Sequence, residues 1–179
     1  MKYLIGDIGN TSTKICIMSR KFQILRSYNF DTSKMYKSNL LKKIIRKKTN
    51  KNINPVFLFS SVVPKVFVNI KKDLKSTKFK ILEIKNLKIN KIIKINIKNK
   101  KNLGSDRIAN AIGAKKLKNC LIIDFGTATT FDVIKNGIYE GGVIAPGVNL
   151  SIKNLSQETA LLPIINLKSH QKSYGKNTI

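Results

Sequence analysis

The sequence predicts an α/β fold built from two related domains. The first observation is a turn motif that occurs twice, as Asp7-Ile8-Gly9-Asn10-Thr11-Ser12-Thr13 and as Asp124-Phe125-Gly126-Thr127-Ala128-Thr129-Thr130. The second is that each copy lies between two apolar, β-branched runs, which is the pattern of a β-hairpin. The third is that helical and strand-like segments alternate between the two copies. Because a duplicated hairpin indicates a duplicated domain, we expect the two turns to face each other across a ligand site.

Length and composition are those of a globular protein. The chain has 179 residues, of which 42% are hydrophobic, enough for a buried core. Asp7 and Asn10 interrupt the apolar segment that a signal peptide would need, and no uncharged apolar run approaches the ~20 residues of a membrane span. We therefore expect a cytoplasmic protein. Cys16 and Cys120 lie in apolar runs and are expected to be buried thiols, and the single histidine, His170, is expected at the surface.

The net charge of +26 invites comparison with nucleic-acid-binding proteins. Lysine dominates the excess, in a chain that is also rich in isoleucine and asparagine. All three have A/T-rich codons, so the base composition of the gene accounts for them. The lysines are dispersed and not interleaved with aromatic residues, as a stacking surface for bases requires, so we expect no nucleic-acid partner. The nine acidic residues are more informative, because four lie within or beside glycine motifs: Asp7, Asp106, Asp124 and Asp132.

The first half of the chain predicts three strands followed by alternating helices and strands. Residues 2–8, 13–19 and 22–30 are separated by short turns, which favours an antiparallel meander. Residues 33–48 carry apolar residues at helical spacing among lysines, behind a possible cap at 31–33, and predict a basic amphipathic helix. The remaining elements of this half are a strand at 56–59, a helix from Pro64 to about Leu74, and a strand at 78–84.

The second half predicts a restart of the same pattern. Residues 93–97 alternate between isoleucine and polar residues and predict an edge strand. Gly104-Ser105-Asp106-Arg107 starts a helix to about Leu117. The later elements are strands at 120–124, 131–134 and 138–144 and a helix over 147–162. This order of elements resembles the ribonuclease-H-like domain of actin-like ATPases, with one complete copy of the domain followed by one partial copy. The resemblance places a first domain at 1–117 and a second, incomplete domain at 118–179.

The two turns have the chemistry of a nucleotide site. Glycine lets the backbone approach a ligand closely, and turn N–H groups and threonine hydroxyls can bind phosphate oxygens. A neighbouring carboxylate can hold Mg²⁺ through oxygen. A single Asp-x-Gly turn is also common in ordinary hairpins, but two copies with matched flanks favour a nucleotide clamp.

Asp106 and Arg107 are predicted at the start of a helix. The helix dipole favours the anionic form of Asp106 there, and phosphorylation of an alcohol needs a base to accept the hydroxyl proton. Arg107 offers a planar fork for a carboxylate or a phosphate. The structural alternatives are a helix cap for Asp106 and a surface salt bridge for Arg107.

The order of these motifs resembles the type III pantothenate kinase family. The first turn continues into Lys14, the second into Phe131-Asp132, and Gly104-Ser105-Asp106-Arg107 lies between them. Gly141-Gly142 and Gly175-Lys176-Asn177-Thr178 follow. The resemblance implies a kinase that uses ATP to convert pantothenate to 4'-phosphopantothenate, the first step of coenzyme A synthesis. It also implies a homodimer whose pantothenate pocket uses both subunits.

The resemblance further implies a role for each motif residue. Asp106 is the catalytic proton acceptor, Asp124 holds a monovalent cation, K⁺ or NH₄⁺, and Asp7 is oriented towards the Mg²⁺ that accompanies ATP. The implied ATP-binding residues are Asp7, Ile8, Gly9, Asn10, Thr11, Ser12, Thr13, Lys14 and Thr127. The implied pantothenate-binding residues are Gly104, Ser105, Asp106, Arg107 and Thr178.

Two departures from the family pattern limit these expectations. A tyrosine common in the family, seven residues before the glycine of the helix-start motif, is Ile97 here, so we predict no substrate residue within 86–103. The chain ends at Ile179, before the last elements of the family, and we expect the 179-residue chain to be poorly stable and inactive alone. Two other functions remain open: a kinase of another small alcohol or a sugar, and a non-catalytic regulatory or nucleic-acid-binding relative of the same fold. The three intact carboxylates favour an enzyme.

Overall fold

A five-stranded mixed sheet forms the first half of the molecule. The computed structural model describes residues 1–36, 41, 42, 45 and 53–164. The strands are β1 (Lys2–Ile8), β2 (Ser12–Met18), β3 (Ile24–Asp31), β4 (Ile53–Ser61) and β5 (Lys80–Glu83). They lie in the order β3-β2-β1-β4-β5. The first three form the predicted antiparallel meander, and β4 and β5 join it in parallel.

The core of this sheet is built from alternate strand residues and one helix. Helix α1 (Pro64–Asp73) begins with proline at its first position, where the missing N–H is harmless, and buries Val66 and Ile70. Phe57 and Phe59 of β4 are fully buried in the same cluster. Residues Thr32–Tyr36 form a 3₁₀ helix. Most of the helix predicted at 33–48 lies outside the described residues.

A four-stranded sheet forms the second half. Its strands are β6 (Lys94–Ile95), β7 (Cys120–Phe125), β8 (Ala128–Lys135) and β9 (Ile138–Pro146), in the order β6-β9-β8-β7. The last three repeat the antiparallel meander of the first sheet. The predicted edge strand is confirmed as β6, which pairs with β9 in parallel. Helices α2 (Ser105–Ala114) and α3 (Val148–Glu158) precede and follow the meander.

The second hydrophobic cluster joins residues from both sides of the predicted domain boundary. Ile93, Ile95 and Ile108 pack with Ile134 and Tyr139. Strand β6 and helix α2 therefore share a core with the second sheet although they precede residue 117. The division at 117/118 stays a prediction.

One face of the second sheet is apolar and exposed. Pairing of β7 with β8 and of β8 with β9 places alternate residues on the same face. Leu121, Ile123, Phe125, Val133 and Val143 are each at least 40% exposed there. The opposite face packs against α2 through Ile122 and Ile134.

The cysteines are less buried than predicted. Cys16 and Cys120 are free thiols of intermediate exposure. His170 lies outside the described residues. Within the described part of the chain, the longest apolar helices are too short or too polar to cross a lipid bilayer.

Candidate active site

The first turn is held in shape by Thr32. Gly9 N–H donates to the Ser12 carbonyl at 2.9 Å, which closes the hairpin. The hydroxyl of Thr32 donates to the Gly9 carbonyl at 2.7 Å, and its backbone N–H donates to the Thr11 carbonyl at 2.9 Å. The hydroxyls of Thr32 and Thr13 lie 3.0 Å apart and are buried. Bracing from outside the motif leaves the tip of the turn exposed to a ligand.

The second turn is held by Gly147, the residue before α3. Gly126 N–H donates to the Ala128 carbonyl at 3.0 Å, and Gly147 N–H donates to the Thr127 carbonyl at 3.1 Å. A Cβ atom at Gly147 would collide with the carbonyl oxygens of Gly126 and Thr127. Only glycine allows this close backbone approach.

The two turns meet at their tips, as the duplicated motif predicts. The hydroxyl oxygens of Thr11 and Thr127 lie 2.8 Å apart, although 116 residues separate them. Beside this contact is a cleft of about 270 Å³. Its lining combines backbone, hydroxyl and carboxylate groups from both turns: Asp7, Gly9, Asn10, Thr11, Ser12, Val62, Asp106, Asp124, Phe125, Gly126, Thr127, Ala128 and Thr130.

Asp106 reaches the cleft from the first turn of α2. Its Oδ1 accepts the backbone N–H of Arg107 at 2.8 Å. A Cβ atom at Gly104 would collide with the same carboxylate oxygen, so the glycine provides the space in which Asp106 folds back. The helix-start motif therefore fixes one carboxylate between the two turns.

Burial in the cleft raises the pKa of Asp7 above its ordinary value. The Ser60 hydroxyl and the charge of Lys14 oppose this effect, while the charges of Asp106 and Asp124 add to it. The charges of Asp106 and Asp124 disfavour a third anion at Asp7, so the cleft favours a bound cation, which would offset this repulsion. Within the described residues, no three acidic, histidine or cysteine side chains converge closely enough to enclose a metal ion by themselves.

An apolar cavity of about 210 Å³ adjoins the same three carboxylates. Its walls come from β1, β4 and α2 and include Ile5, Leu58, Phe59 and Ala109. Asn110, one helical turn after Asp106, also lines the cavity and donates to Oδ2 of Asp124 at 3.0 Å. Helix α2 thus supplies one carboxylate and orients another.

Glu83 anchors the start of α2 to the first sheet. This carboxylate ends β5 and is 8% exposed. Its Oε1 accepts a hydrogen bond from the hydroxyl of Ser105, and its Oε2 accepts one from the backbone N–H of Lys85. The Ser105 side chain is fully buried by this contact and does not line the cleft.

Arg107 points to a different pocket from Asp106. Its Nε and Nη2 both lie 2.7 Å from Oδ1 of Asp132, and the hydroxyl of Tyr139 donates to the same oxygen at 2.6 Å. The pocket beside Arg107 has a volume of about 240 Å³. It is lined by Ile97, Asn99, Asn102, Leu103, Arg107, Tyr139, Gly141 and Gly142.

The structure brings most, but not all, of the predicted site residues to the cleft. Asp7, Gly9, Asn10, Thr11, Ser12, Asp106, Asp124 and Thr127 line it. Ile8 and Thr13 are fully buried and do not line the cleft, so the structure does not bring these two predicted ATP-binding residues to it. Lys14 is exposed opposite Asp7 on β2. Thr178 lies outside the described residues.

Sequence reasoning missed the groups that hold the motif residues in place. Thr32, Glu83, Asn110 and Tyr139 each bond to a motif residue without belonging to a motif. Asn110 carried a usable signal, because it lies four residues after Asp106 and so on the same helix face. Four residues of the segment 86–103, for which we predict no substrate residue, line the pocket beside Arg107: Ile97, Asn99, Asn102 and Leu103.

Comparison with known proteins identifies one family. Residues 3–179 match the family model described as type III pantothenate kinase. The chain is 48% identical over 179 residues to the type III pantothenate kinase of Pelagibacter ubique, covering 98% of this chain and 71% of the relative. It is 35% identical over 182 residues to that of Fervidobacterium nodosum, again covering 98% and 71%.

Solved structures confirm the predicted fold class. A conserved protein of Campylobacter jejuni named for the Baf family of transcriptional activators has a TM-score of 0.55 at 19% identity, covering 98% of this chain and 69% of that one. A protein of Sinorhizobium meliloti named as a 2-dehydro-3-deoxygalactonokinase has a TM-score of 0.53 at 12% identity, covering 89% and 58%. At these identities the likeness shows the actin-like α/β fold alone.

Proposed function

The chain belongs to the type III pantothenate kinase family, and on this premise we propose that it transfers the γ-phosphoryl group of ATP to pantothenate. The product is 4'-phosphopantothenate, and the reaction is the first step of coenzyme A synthesis. The observation that carries the proposal is the cleft where both turns and Asp106 meet.

Each part of the cleft has a task in this reaction. The exposed N–H and hydroxyl groups of the two tips hold the phosphate chain of ATP, with Asp7 directed to its Mg²⁺. Mg²⁺, when bound, neutralises charge on the phosphate oxygens. Asp106 accepts the proton of the pantothenate hydroxyl as that oxygen bonds to the γ-phosphorus and the bond to ADP breaks.

The apolar cavity beside Asp106 favours pantothenate over a sugar. In pantothenate, the carbon next to the reacting hydroxymethyl group carries two methyl groups. Leu58, Phe59 and Ala109 offer apolar contacts to such a group. These three side chains offer no hydrogen-bond partner, so a sugar hydroxyl placed against them would be costly.

The finer features of the proposal rest on the family resemblance. They are a K⁺ or NH₄⁺ ion at Asp124, assembly as a homodimer, and a location in the cytoplasm. The regulatory alternative gains no support from the Baf-family name of one structural neighbour, because a likeness at 19% identity shows the fold alone.

The test is an assay of the purified protein with ATP, Mg²⁺ and K⁺. Pantothenate should yield ADP and phosphopantothenate in equal amounts, detected by mass. Galactose-type and mannosamine-type sugars serve as competing acceptors. Phosphorylation of a sugar in preference to pantothenate would contradict the proposal.

A further inference from the structure

Asp132 is an acid of the second motif for which the proposed function has no role so far. It lies on β8 with no exposed surface. A buried carboxylate is tolerated when it is paired, and Asp132 is paired unevenly. Oδ1 receives Arg107 and Tyr139, whereas Oδ2 is buried without a partner among the described residues.

We propose that Asp132, supported by Tyr139, is a positioning residue that fixes the guanidinium of Arg107 for the carboxylate end of the substrate. The proposal rests on the proposed function, since pantothenate carries one carboxylate at the end opposite its reacting hydroxyl. It assigns Asp132 to recognition of the acceptor and leaves ATP to the cleft between the two turns.

The geometry of the pair leaves part of the guanidinium free for a ligand. Asp132 engages Nε and Nη2, and a guanidinium has five N–H donors in a rigid fork. Arg107 also lines the pocket that contains Asn99 and Asn102. A fork already fixed by a buried partner loses less conformational entropy when it binds a second carboxylate.

The surroundings keep the fork charged and in one orientation. Burial opposes the charge of Arg107, but its hydrogen bond and charge pairing with Asp132 outweigh burial, so the pKa of Arg107 is raised. Burial and the neighbouring Asp132 raise the pKa of Tyr139, so its hydroxyl remains a donor at neutral pH. A Cβ atom at Gly142 would lie 2.6 Å from Nη2 of Arg107, so this glycine makes room for the guanidinium against β9.

A purely structural role is the competing explanation. The Arg107–Asp132 pair also ties α2 to the second sheet, and breaking a buried pair destabilises a protein. A structural role would reduce the amount of folded protein and its melting temperature. It would not change the preference of the folded protein between an acid and a neutral analogue of the same shape.

The test compares pantothenate with its primary amide, in which the carboxylate is replaced by a neutral group of similar size. We expect Asp132→Asn to raise KM for pantothenate by about 10- to 100-fold, the range of a hydrogen bond to a charged group. KM for the amide and KM for ATP should change less than threefold. Tyr139→Phe, which retains the ring, should raise KM for pantothenate by about threefold and leave KM for the amide unchanged. This variant tests the proposal if Asp132→Asn folds poorly.

Asp73→Asn, at the end of α1 and remote from both pockets, is the matched control and should leave every constant unchanged. An equal rise in KM for acid and amide, or a fall in kcat with the preference for the acid retained, would overturn the positioning role alone. A wild-type protein that phosphorylates neither compound would overturn the proposed function, and the positioning role with it.

Discussion

The two turns share a motif but differ in how their strands pair. In the first turn Asp7 lies opposite Lys14, whereas in the second Asp124 lies opposite Thr130. The first turn is therefore one residue longer, and the two threonines that align in sequence, Thr13 and Thr130, take different places. Thr13 is buried against Thr32, while Thr130 lines the cleft.

This shift gives the two carboxylates different neighbours. Directly opposed residues of antiparallel strands share one face of the sheet, so Asp7 has a lysine beside it and Asp124 has a hydroxyl. The Oγ1 atom of Thr130 is buried without a partner among the described residues. Under the proposed function, the lysine beside Asp7 favours the phosphate chain of ATP, and the hydroxyl beside Asp124 adds an oxygen ligand for a monovalent cation. On that proposal, one inserted residue gives the two copies of the motif different tasks.

The largest effect should come from Asp106, which faces both turns. Asp106→Asn removes the proton acceptor, and we expect kcat to fall by about 10²–10⁴-fold. ATP binding should persist, because both turns are intact, and loss of the neighbouring charge should lower the pKa of Asp7. Steady-state kinetics measure kcat, titration calorimetry measures ATP binding, and the pH dependence of ATP binding reports the pKa of Asp7. Undiminished kcat would remove Asp106 from its role.

The second prediction separates the two turns by their cations. Wild-type activity should fall when Na⁺ replaces K⁺, and Asp124→Asn should lower kcat by about tenfold to a hundredfold, as misplacement of a bound substrate does. The variant should also become indifferent to the choice of Na⁺ or K⁺. Asp7→Asn should instead weaken the response to Mg²⁺ while keeping the preference for K⁺. A wild-type protein that works equally well in Na⁺ would contradict this division.

The sequence predicts what is local in this site and misses what depends on pairing. Both hairpins and the helix start follow from residue patterns, because turns and caps are decided by a few neighbouring residues. The alternation at 93–97 predicts an edge strand, but not that β6 joins β9, since partners distant in the chain are not encoded in a local period.

The supporting residues were missed for the same reason. Glu83 and Ser105 are brought together only when β5 and α2 pack, and Asp132 meets Arg107 only across the core of the second sheet. The one-residue difference between the turns is not visible in the sequence, because the two motifs align without a gap from Asp7 and Asp124. The difference lies in which residue of the second strand pairs with each aspartate, and this register is set only when the hairpin forms.

The smallest effect should come from the residue that distinguishes the two turns. Lys14→Thr gives the first turn the neighbour that Asp124 has in the second. The charge of Lys14 holds the pKa of Asp7 down against burial, so its loss should raise that pKa further. As the pH falls, Asp7 would then become protonated at a higher pH than in the wild type, and it would stop binding the Mg²⁺ of ATP at that higher pH. Because Lys14 is exposed, KM for ATP at neutral pH should rise only about twofold to fivefold, the range of an exposed ion pair.

The measurement is the pH dependence of kcat/KM for ATP, with Lys65→Thr, exposed on α1, as the control. If kcat/KM for ATP falls at the same acidic pH in Lys14→Thr as in the wild type, the pairing of Asp7 with Lys14 does not distinguish the two turns.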